Sequence, residues 1–223
     1  MFGNIKVNVI FAIQSTFLYL MNKQLEDIKA IREMMEKSTK FISLSGLSGI
    51  LAGVTAILGA AFAYFYLLKK PSLADCSYTQ ELMILLVDAL IVLFISIGFG
   101  VYFSWRKAKK HKQSLFNKVT LRTICNLSIP LTAGGIFCLV LLLRGDIQVA
   151  IAGTLIFYGI ALINVSKYTF DEIHYLGITE IILGIAAAIF VSSGLLFWTI
   201  GFGVCHIAYG FVMYRKYDLK KNG

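Results

Sequence analysis

Long apolar segments alternate with short polar ones along this chain. Residues 41–68, 123–143 and 147–166 contain no charged side chain, and residues 82–105 contain one, Asp88. Each segment reaches the ~20 apolar residues that an α-helix needs to cross a bilayer. The pattern therefore predicts a transmembrane helix in each of these four segments.

A fifth apolar segment, residues 173–214, is too long for one helix across a bilayer. It would measure roughly 60 Å at about 1.5 Å per residue, so the chain must reverse once within it. Ser192, Ser193 and Gly194 favour a turn at residues 192–198. The pattern thus predicts an all-α polytopic membrane protein with six transmembrane helices, over about residues 41–68, 81–105, 122–143, 147–166, 173–193 and 196–214.

The two ends of the chain differ from these spans. Residues 1–22 are apolar but interrupted by polar side chains, and the alternatives are a seventh span or an upstream extension with Met21 as the true start. Residues 23–40 repeat apolar side chains at spacings of three and four, which predicts an amphipathic helix. Its charges are balanced, so we expect it to pack on the inner ends of the spans, to pair with a second copy, or to be a solvated lead-in. Residues 215–223 form a basic tail.

The charged residues predict the orientation of the chain. With the N-terminus inside, the inner segments hold 18 of the 21 Lys and Arg residues, which favours two cytoplasmic termini. This bias also accounts for the net charge of +9 without a nucleic-acid partner. The basic run RKAKKHK at residues 106–112 is expected to contact anionic lipid headgroups.

Small residues recur at helical spacing within the spans. Ser45, Gly49 and Gly53 lie four residues apart, a spacing that lets helix backbones approach closely in lipid. Related glycine spacings in the odd-numbered spans are compatible with three tandem helical hairpins or with chance matches. We expect tight helix packing, within one chain or in a homo-oligomer, that also uses Gly134, Gly135 and Gly184.

Two ionisable side chains lie inside the fifth and sixth spans. From the rise of an α-helix, Glu180 lies roughly 9 Å from the inner end of the fifth span, and His206 lies about 13 Å from the inner end of the sixth span. Ionisable residues inside spans are costly and are functional candidates by default. Because the two spans are antiparallel neighbours, we expect both side chains at a similar depth. They could exchange a proton or form a silent hydrogen-bonded pair.

Four further polar side chains are candidates of the same kind. Asp88 enters the second span from the outer side, so we expect it to lie far from Glu180. Asn126, Asn164 and His174 share the inner half of the bundle with Glu180. They could form one polar layer around it, or each could bond across helices as a packing contact.

Motifs of familiar enzyme classes are absent from the sequence. It contains no HExxH, no GxSxG and no phosphate-binding loop, and its three histidines are widely spaced. We therefore expect no enzymatic activity, no cofactor and no metal ion.

Three runs of the sequence resemble a group of uncharacterised small integral membrane proteins of Bacteroidetes-type bacteria. They are IREMMEKSTKFISLSGLSGILAG (31–53), YTFDEIHYLGITEIILG (168–184) and GFGVCHIAYGFVMYRKY (201–217). The resemblance covers most of the chain from about residue 25. It implies a multi-pass protein of the bacterial inner membrane that starts at Met21, and it implies no activity.

Two functional hypotheses follow from the sequence. The first is a non-enzymatic, tightly packed bundle whose residues 23–40 bind a cytoplasmic protein or a second copy. The second is a small proton-coupled transporter or channel that uses Glu180 with His206, and Asp88 as an outer site.

Overall fold

The chain consists of two compact units, Met1–Lys40 and Phe41–Gly223. The structure is a computed structural model that describes residues 17–29, 31, 44–68, 78–110 and 118–219. In the first unit, residues 17–29 form helix α1, which therefore begins at least six residues before the predicted residue 23. The predictions for residues 1–16 and 32–40 lie outside the described residues.

Six long helices form the second unit, and its described residues contain no strand. Each helix is long and apolar enough to cross a membrane, as expected of a multi-pass membrane protein. The predicted all-α fold with six spans is confirmed. The helices are α2 (Gly46–Leu68), α3 (Tyr78–Lys110), α4 (Lys118–Arg144), α5 (Ile147–Ser166), α6 (Asp171–Ile189) and α7 (Val191–Leu219).

Two helices extend beyond their predicted spans into basic sequence. α3 continues to Lys110 and α4 begins at Lys118, so most of the predicted basic loop is helical. Charge marks the end of the hydrocarbon layer rather than the end of a helix, because Lys and Arg are good helix formers in water. The sequence pattern therefore underestimated the lengths of these helices.

Three short connections join the last four helices. Gly145 joins α4 to α5 with φ of 90°, a left-handed conformation that glycine adopts without strain. The chain reverses after α6 at Phe190 and in the 3₁₀ turn Val191–Ser193, with which α7 begins. The reversal lies at the start of the predicted region 192–198, because Gly194–Trp198 is already helical.

The core of the second unit consists of α2, α5, α6 and α7. α2 packs against α7 and α3, and α5 packs against α6 and α4, while the first half of α7 contacts α5 and α6. α3 and α4 are largely exposed along their apolar lengths. α3 therefore lies on the outer side of α2, and α4 lies on the outer side of α5.

Two antiparallel helix pairs in this core use the same spacing of small residues. Along each helix, two small residues lie seven positions apart, and a Cβ atom added at Gly177 would stand 2.8 Å from the Gly159 carbonyl oxygen. At Gly53, an added Cβ would stand 2.6 Å from the Gly203 carbonyl oxygen. We name these contacts the two seams. The α2–α7 seam contains Gly46, Gly53, Gly203 and Gly210, and the α5–α6 seam contains Ala152, Gly159, Gly177 and Gly184.

The seams change the interpretation of the glycine repeat. They join α2 to α7 and α5 to α6, so the spacing marks two antiparallel pairs. The consecutive helices of the three predicted hairpins also pack together, α2 with α3, α4 with α5 and α6 with α7. Gly135 on α4, which the repeat included, has no atom of the described residues within 4 Å of an added Cβ. A seven-residue spacing keeps small side chains on one face of a helix, and only packing decides which partner that face meets.

Charged side chains tie together one end of the bundle. Asp218 on α7 accepts hydrogen bonds from Ser45 Oγ and from the Gly46 N–H, both at 3.1 Å, and lies 2.5 Å from Lys107 Nζ. Glu172 in the first turn of α6 accepts a 2.6 Å hydrogen bond from Lys216 Nζ. The final turns of α7 are thereby fixed against the first turns of α2 and α6.

Candidate functional site

A glutamate, a histidine and a tyrosine meet where α5, α6 and α7 pack together. Glu180 on α6 is 0% exposed, and its Oε1 lies 3.4 Å from Nδ1 of His206 on α7. On the other side of the imidazole ring, Nε2 lies 2.8 Å from the hydroxyl of Tyr158 on α5. We name these three side chains the polar triad. It joins the pair predicted from the sequence to a residue of a third helix.

Apolar and aromatic side chains surround the polar triad. The ring of Phe202 lies 4.9 Å from that of Tyr158 and 5.8 Å from that of His206, centroid to centroid. Leu155 is completely buried on the Glu180 side, and Trp198 packs against Phe202 at 4.9 Å. The triad therefore lies in a low-dielectric interior, where charge interactions are strong and unpaired charges are costly.

The hydrogen bonds of His206 assign one of its ring protons. Nδ1 lies 3.0 Å from the carbonyl oxygen of Gly201, and because a carbonyl oxygen only accepts, Nδ1 carries a hydrogen. Nε2 faces the hydroxyl of Tyr158, which can either donate or accept. The imidazole is therefore satisfied both as a neutral ring that accepts from Tyr158 and as a cation that donates to it.

The carboxylate of Glu180 has no comparable set of partners. Among the described residues, neither oxygen has a hydrogen-bond partner, although both are fully buried. Oε2 lies against the α-carbon of Gly201, where an added Cβ would overlap it. Glycine at position 201 is thus what leaves room for the carboxylate beside α7.

An irregular helix turn positions these groups on α7. Thr199–Cys205 is a π-helical segment, and it is followed by the regular helix His206–Met213. π segments are rare, occur mostly as short insertions in α-helices and are frequent at functional sites. Here the segment carries Gly201 and ends directly before His206, so the carbonyl acceptor and the imidazole belong to the same irregular turn.

Glu180 and His206 also occupy the same position relative to the seams. Each lies three residues after a seam glycine, Gly177 or Gly203, and directly before an isoleucine, Ile181 or Ile207, which fills the space beside the partner helix's glycine. Close backbone packing at the seams fixes both helices at this level. The seams set α6 against α5 and α7 against α2, and the contact of the first half of α7 with α5 and α6 brings the carboxylate and the imidazole together.

The remaining polar candidates form separate pairs rather than one layer around Glu180. Asn164 Nδ2 on α5 donates a 3.1 Å hydrogen bond to the backbone carbonyl of Asn126 on α4. His174 Nδ1 lies 3.4 Å from Ser166 Oγ. The hydrogen bonds of these residues thus link helices locally, as in the second alternative, packing contacts across helices, and do not form one layer around Glu180. Asp88 lies on α3 beside Gly59 of α2, apart from the triad's helices.

The predicted packing residues fall into three groups. Gly49, Gly53 and Gly184 meet backbone atoms of a neighbouring helix, and Gly134 meets the Phe157 side chain. Ser45 is buried and donates a hydrogen bond to Asp218, so its contact is polar and is not a close approach of two helix backbones. Gly135 is a correction to the prediction: an added Cβ there would meet nothing within 4 Å among the described residues.

Sequence analysis did not identify Tyr158 or Gly201 as site residues. Tyr158 directly precedes seam residue Gly159, and Gly201 begins the run GFG at residues 201–203. A tyrosine and a glycine in apolar spans give no signal of their own, because each is common there. Within the described ranges, no three His, Cys, Asp or Glu side chains come together as a metal site.

Comparisons with known proteins add no relative to this picture. Neither a family model, nor a curated protein, nor a solved structure matches the chain.

Proposed function

We propose that this chain is a small proton-coupled membrane transporter in which the polar triad binds and releases one proton. Ionisable side chains that face the interior of a helix bundle are typical of ion pathways and proton relays. Within one buried site, either the glutamate or the histidine can hold the proton. Because Nδ1 of His206 already carries a hydrogen, the imidazole takes this proton at Nε2, on the side of Tyr158. The proposal concerns the chemistry of the site and leaves the transported solute open.

The observation that carries the proposal is the state of the Glu180 carboxyl group. It is 0% exposed, both oxygens are without hydrogen-bond partners among the described residues, and the nearest charge partner is His206 Nδ1 at 3.4 Å. Buried polar groups kept for stability are almost always hydrogen-bonded. A protein with a buried ion pair whose acceptors lack hydrogen bonds is often no more stable than the same protein with apolar side chains at those positions. This argues for a role other than stability.

The triad can hold its proton in two arrangements of equal net charge. In one, Glu180 is a carboxylic acid and the imidazole is neutral; in the other, Glu180 is a carboxylate and the imidazole is a cation. The Tyr158 hydroxyl, 2.8 Å from His206 Nε2, donates in the first arrangement and accepts in the second. Release of the proton leaves one uncompensated negative charge in the interior, which favours its replacement by a proton or a cation.

Infrared spectroscopy of the purified protein tests proton binding directly. We expect a carbonyl-stretch band of a protonated carboxyl group that titrates with pH and shifts in D₂O. The band should disappear in Glu180→Gln and remain in Asp146→Asn, since Asp146 is an exposed acid in the α4–α5 turn. A Glu180 band that neither titrates nor exchanges while the protein is folded would show that the group is sealed and would refute the proposal.

We also propose a location and orientation for the protein. The bias of basic residues, 18 against 3, supports two cytoplasmic termini. The resemblance to uncharacterised membrane proteins of Bacteroidetes-type bacteria supports the inner membrane, and the lack of familiar enzyme motifs in the sequence supports a non-enzymatic role. A reporter that is active only outside the cytoplasm, fused after residue 223, should be inactive, and activity there would reverse the orientation.

A second candidate function is that of a packed bundle with a binding helix at its N-terminal end. It is favoured by Leu25 and Ile28 of α1 and by the helical residue Ile31, because a spacing of three places these apolar side chains on one face of a helix. Such a helix would bind a cytoplasmic protein or a second copy. Deletion of residues 23–40 should then reduce the assembly size in mild detergent, and an unchanged size would argue against self-association through this segment.

A further inference from the structure

An open groove lies between α2 and α3, on helices that do not carry the polar triad. It has a volume of about 450 Å³ and is lined by Phe62, Met83, Ile84, Val87, Asp88 and Ile91. Five of these six side chains are apolar, and among the described lining residues Asp88 supplies the carboxylate. A volume of this size suits a small organic molecule, since ligand sites usually measure about 300–1,000 Å³.

Asp88 is placed in the groove by close packing of the two helices. Its carboxylate oxygens lie 3.6 and 3.7 Å from the position of an added Cβ at Gly59, and the same Cβ would overlap Val92. Gly59 therefore lets α2 approach α3 beside the carboxylate. In the part of the chain that the structure describes, Asp88 has no hydrogen-bond or ion-pair partner, so an anionic acceptor faces an apolar groove.

The position of Asp88 along α3 limits what can reach it. It lies six residues after Leu82, where the apolar part of the helix begins, or about 9 Å at 1.5 Å per residue. Lipid headgroup amines stay at the interface, whereas a cation with an apolar body can enter the hydrocarbon layer. The described lining offers one carboxylate among apolar side chains, which is too few oxygen ligands for a metal ion.

We propose that this groove binds an amphipathic organic cation that enters from the bilayer, with Asp88 as the charge partner. The apolar lining accommodates the body of the ligand, and Phe62 adds an aromatic ring that attracts cations. The site is independent of the polar triad. The proposal assigns a ligand of defined chemical class to Asp88, which the sequence predicted on the outer side of the second span.

Binding of radiolabelled tetraphenylphosphonium to the purified full-length protein tests this site. We expect saturable binding to the wild type that is at least tenfold weaker in Asp88→Asn, a loss of about 1.4 kcal/mol. Tetraphenylborate, of similar shape and opposite charge, should not compete. Equal binding by Asp88→Asn, or equal competition by tetraphenylborate, would overturn the proposal.

A second pair of variants keeps the test valid if Asp88→Asn does not fold. Ile91 lines the groove, Ile97 lies elsewhere on α3, and both side chains are 52% exposed. Ile91→Trp should fill the groove and weaken binding, while Ile97→Trp should not, and equal binding by the two variants would also overturn the proposal. Glu180→Gln should bind as the wild type does, so loss of proton binding at the triad and loss of cation binding here are distinguishable.

Discussion

Replacing Gly177 by alanine is expected to lower the thermal unfolding midpoint of the protein in detergent, whereas Gly135→Ala should maintain or raise it. A Cβ atom at position 177 would stand 2.8 Å from the Gly159 carbonyl oxygen and 3.0 Å from the Ile163 backbone nitrogen. These are backbone atoms of α5, which cannot rotate away, so the two helices must separate. Overpacking of this kind costs about 1–3 kcal/mol.

The Gly135 variant is the matched control for this effect. An added Cβ at that position meets no atom of the described residues within 4 Å, and alanine favours a helix over glycine by roughly 1 kcal/mol. The two substitutions should therefore change stability in opposite directions, although both replace a glycine inside an apolar helix. If Gly177→Ala were as stable as Gly135→Ala, the α5–α6 seam would not be a close backbone contact.

His206→Leu is expected to destabilise the protein strongly, and Glu180→Leu added to it should restore most of the loss. Removal of the imidazole leaves the fully buried Glu180 carboxylate without its partner at 3.4 Å. Breaking one side of a buried ion pair costs about 3–5 kcal/mol, whereas replacing both members by apolar side chains is often neutral or stabilising. The double variant should thus be more stable than the single one.

Unfolding of the two variants at several pH values measures this coupling. The deficit of His206→Leu should shrink as the pH falls, because a protonated Glu180 is neutral and needs no counter-charge. The double variant contains neither ionisable group and should lack this pH dependence. A double variant that is less stable than His206→Leu would mean that the pair is kept for stability, and the bundle hypothesis would then be preferred over transport.

The sequence predicted the six helices because each is a continuous apolar run of bilayer length. It also indicated that Glu180 and His206 lie at one depth, since α6 and α7 are consecutive and antiparallel and helical rise converts residue number into distance. It did not predict Tyr158 as their partner. The sequence does not determine how α5 is rotated about its own axis relative to α7. This rotation decides which side chains of α5 face the inside of the bundle.

The fate of the glycines shows the same limit. Gly53, Gly135 and Gly184 belong to one spacing pattern. Gly53 and Gly184 lie in seams, whereas an added Cβ at Gly135 meets no atom of the described residues within 4 Å. Glycine spacing indicates that a helix can be approached closely, and it does not specify the helix that approaches. The partners of α2 and α5 depend on the packing of the whole bundle.

The sequence by itself determined the six long helices of the described ranges, their apolar character and the common level of Glu180 and His206. These properties are local, because hydrophobicity and helical rise act along the chain. Only the tertiary structure decided that Glu180 has no hydrogen-bond partner among the described residues, that Gly201 makes room for it and that Asp88 lines a groove. Those features arise from how helices rotate and pack against one another, and packing depends on side chains that are distant in sequence.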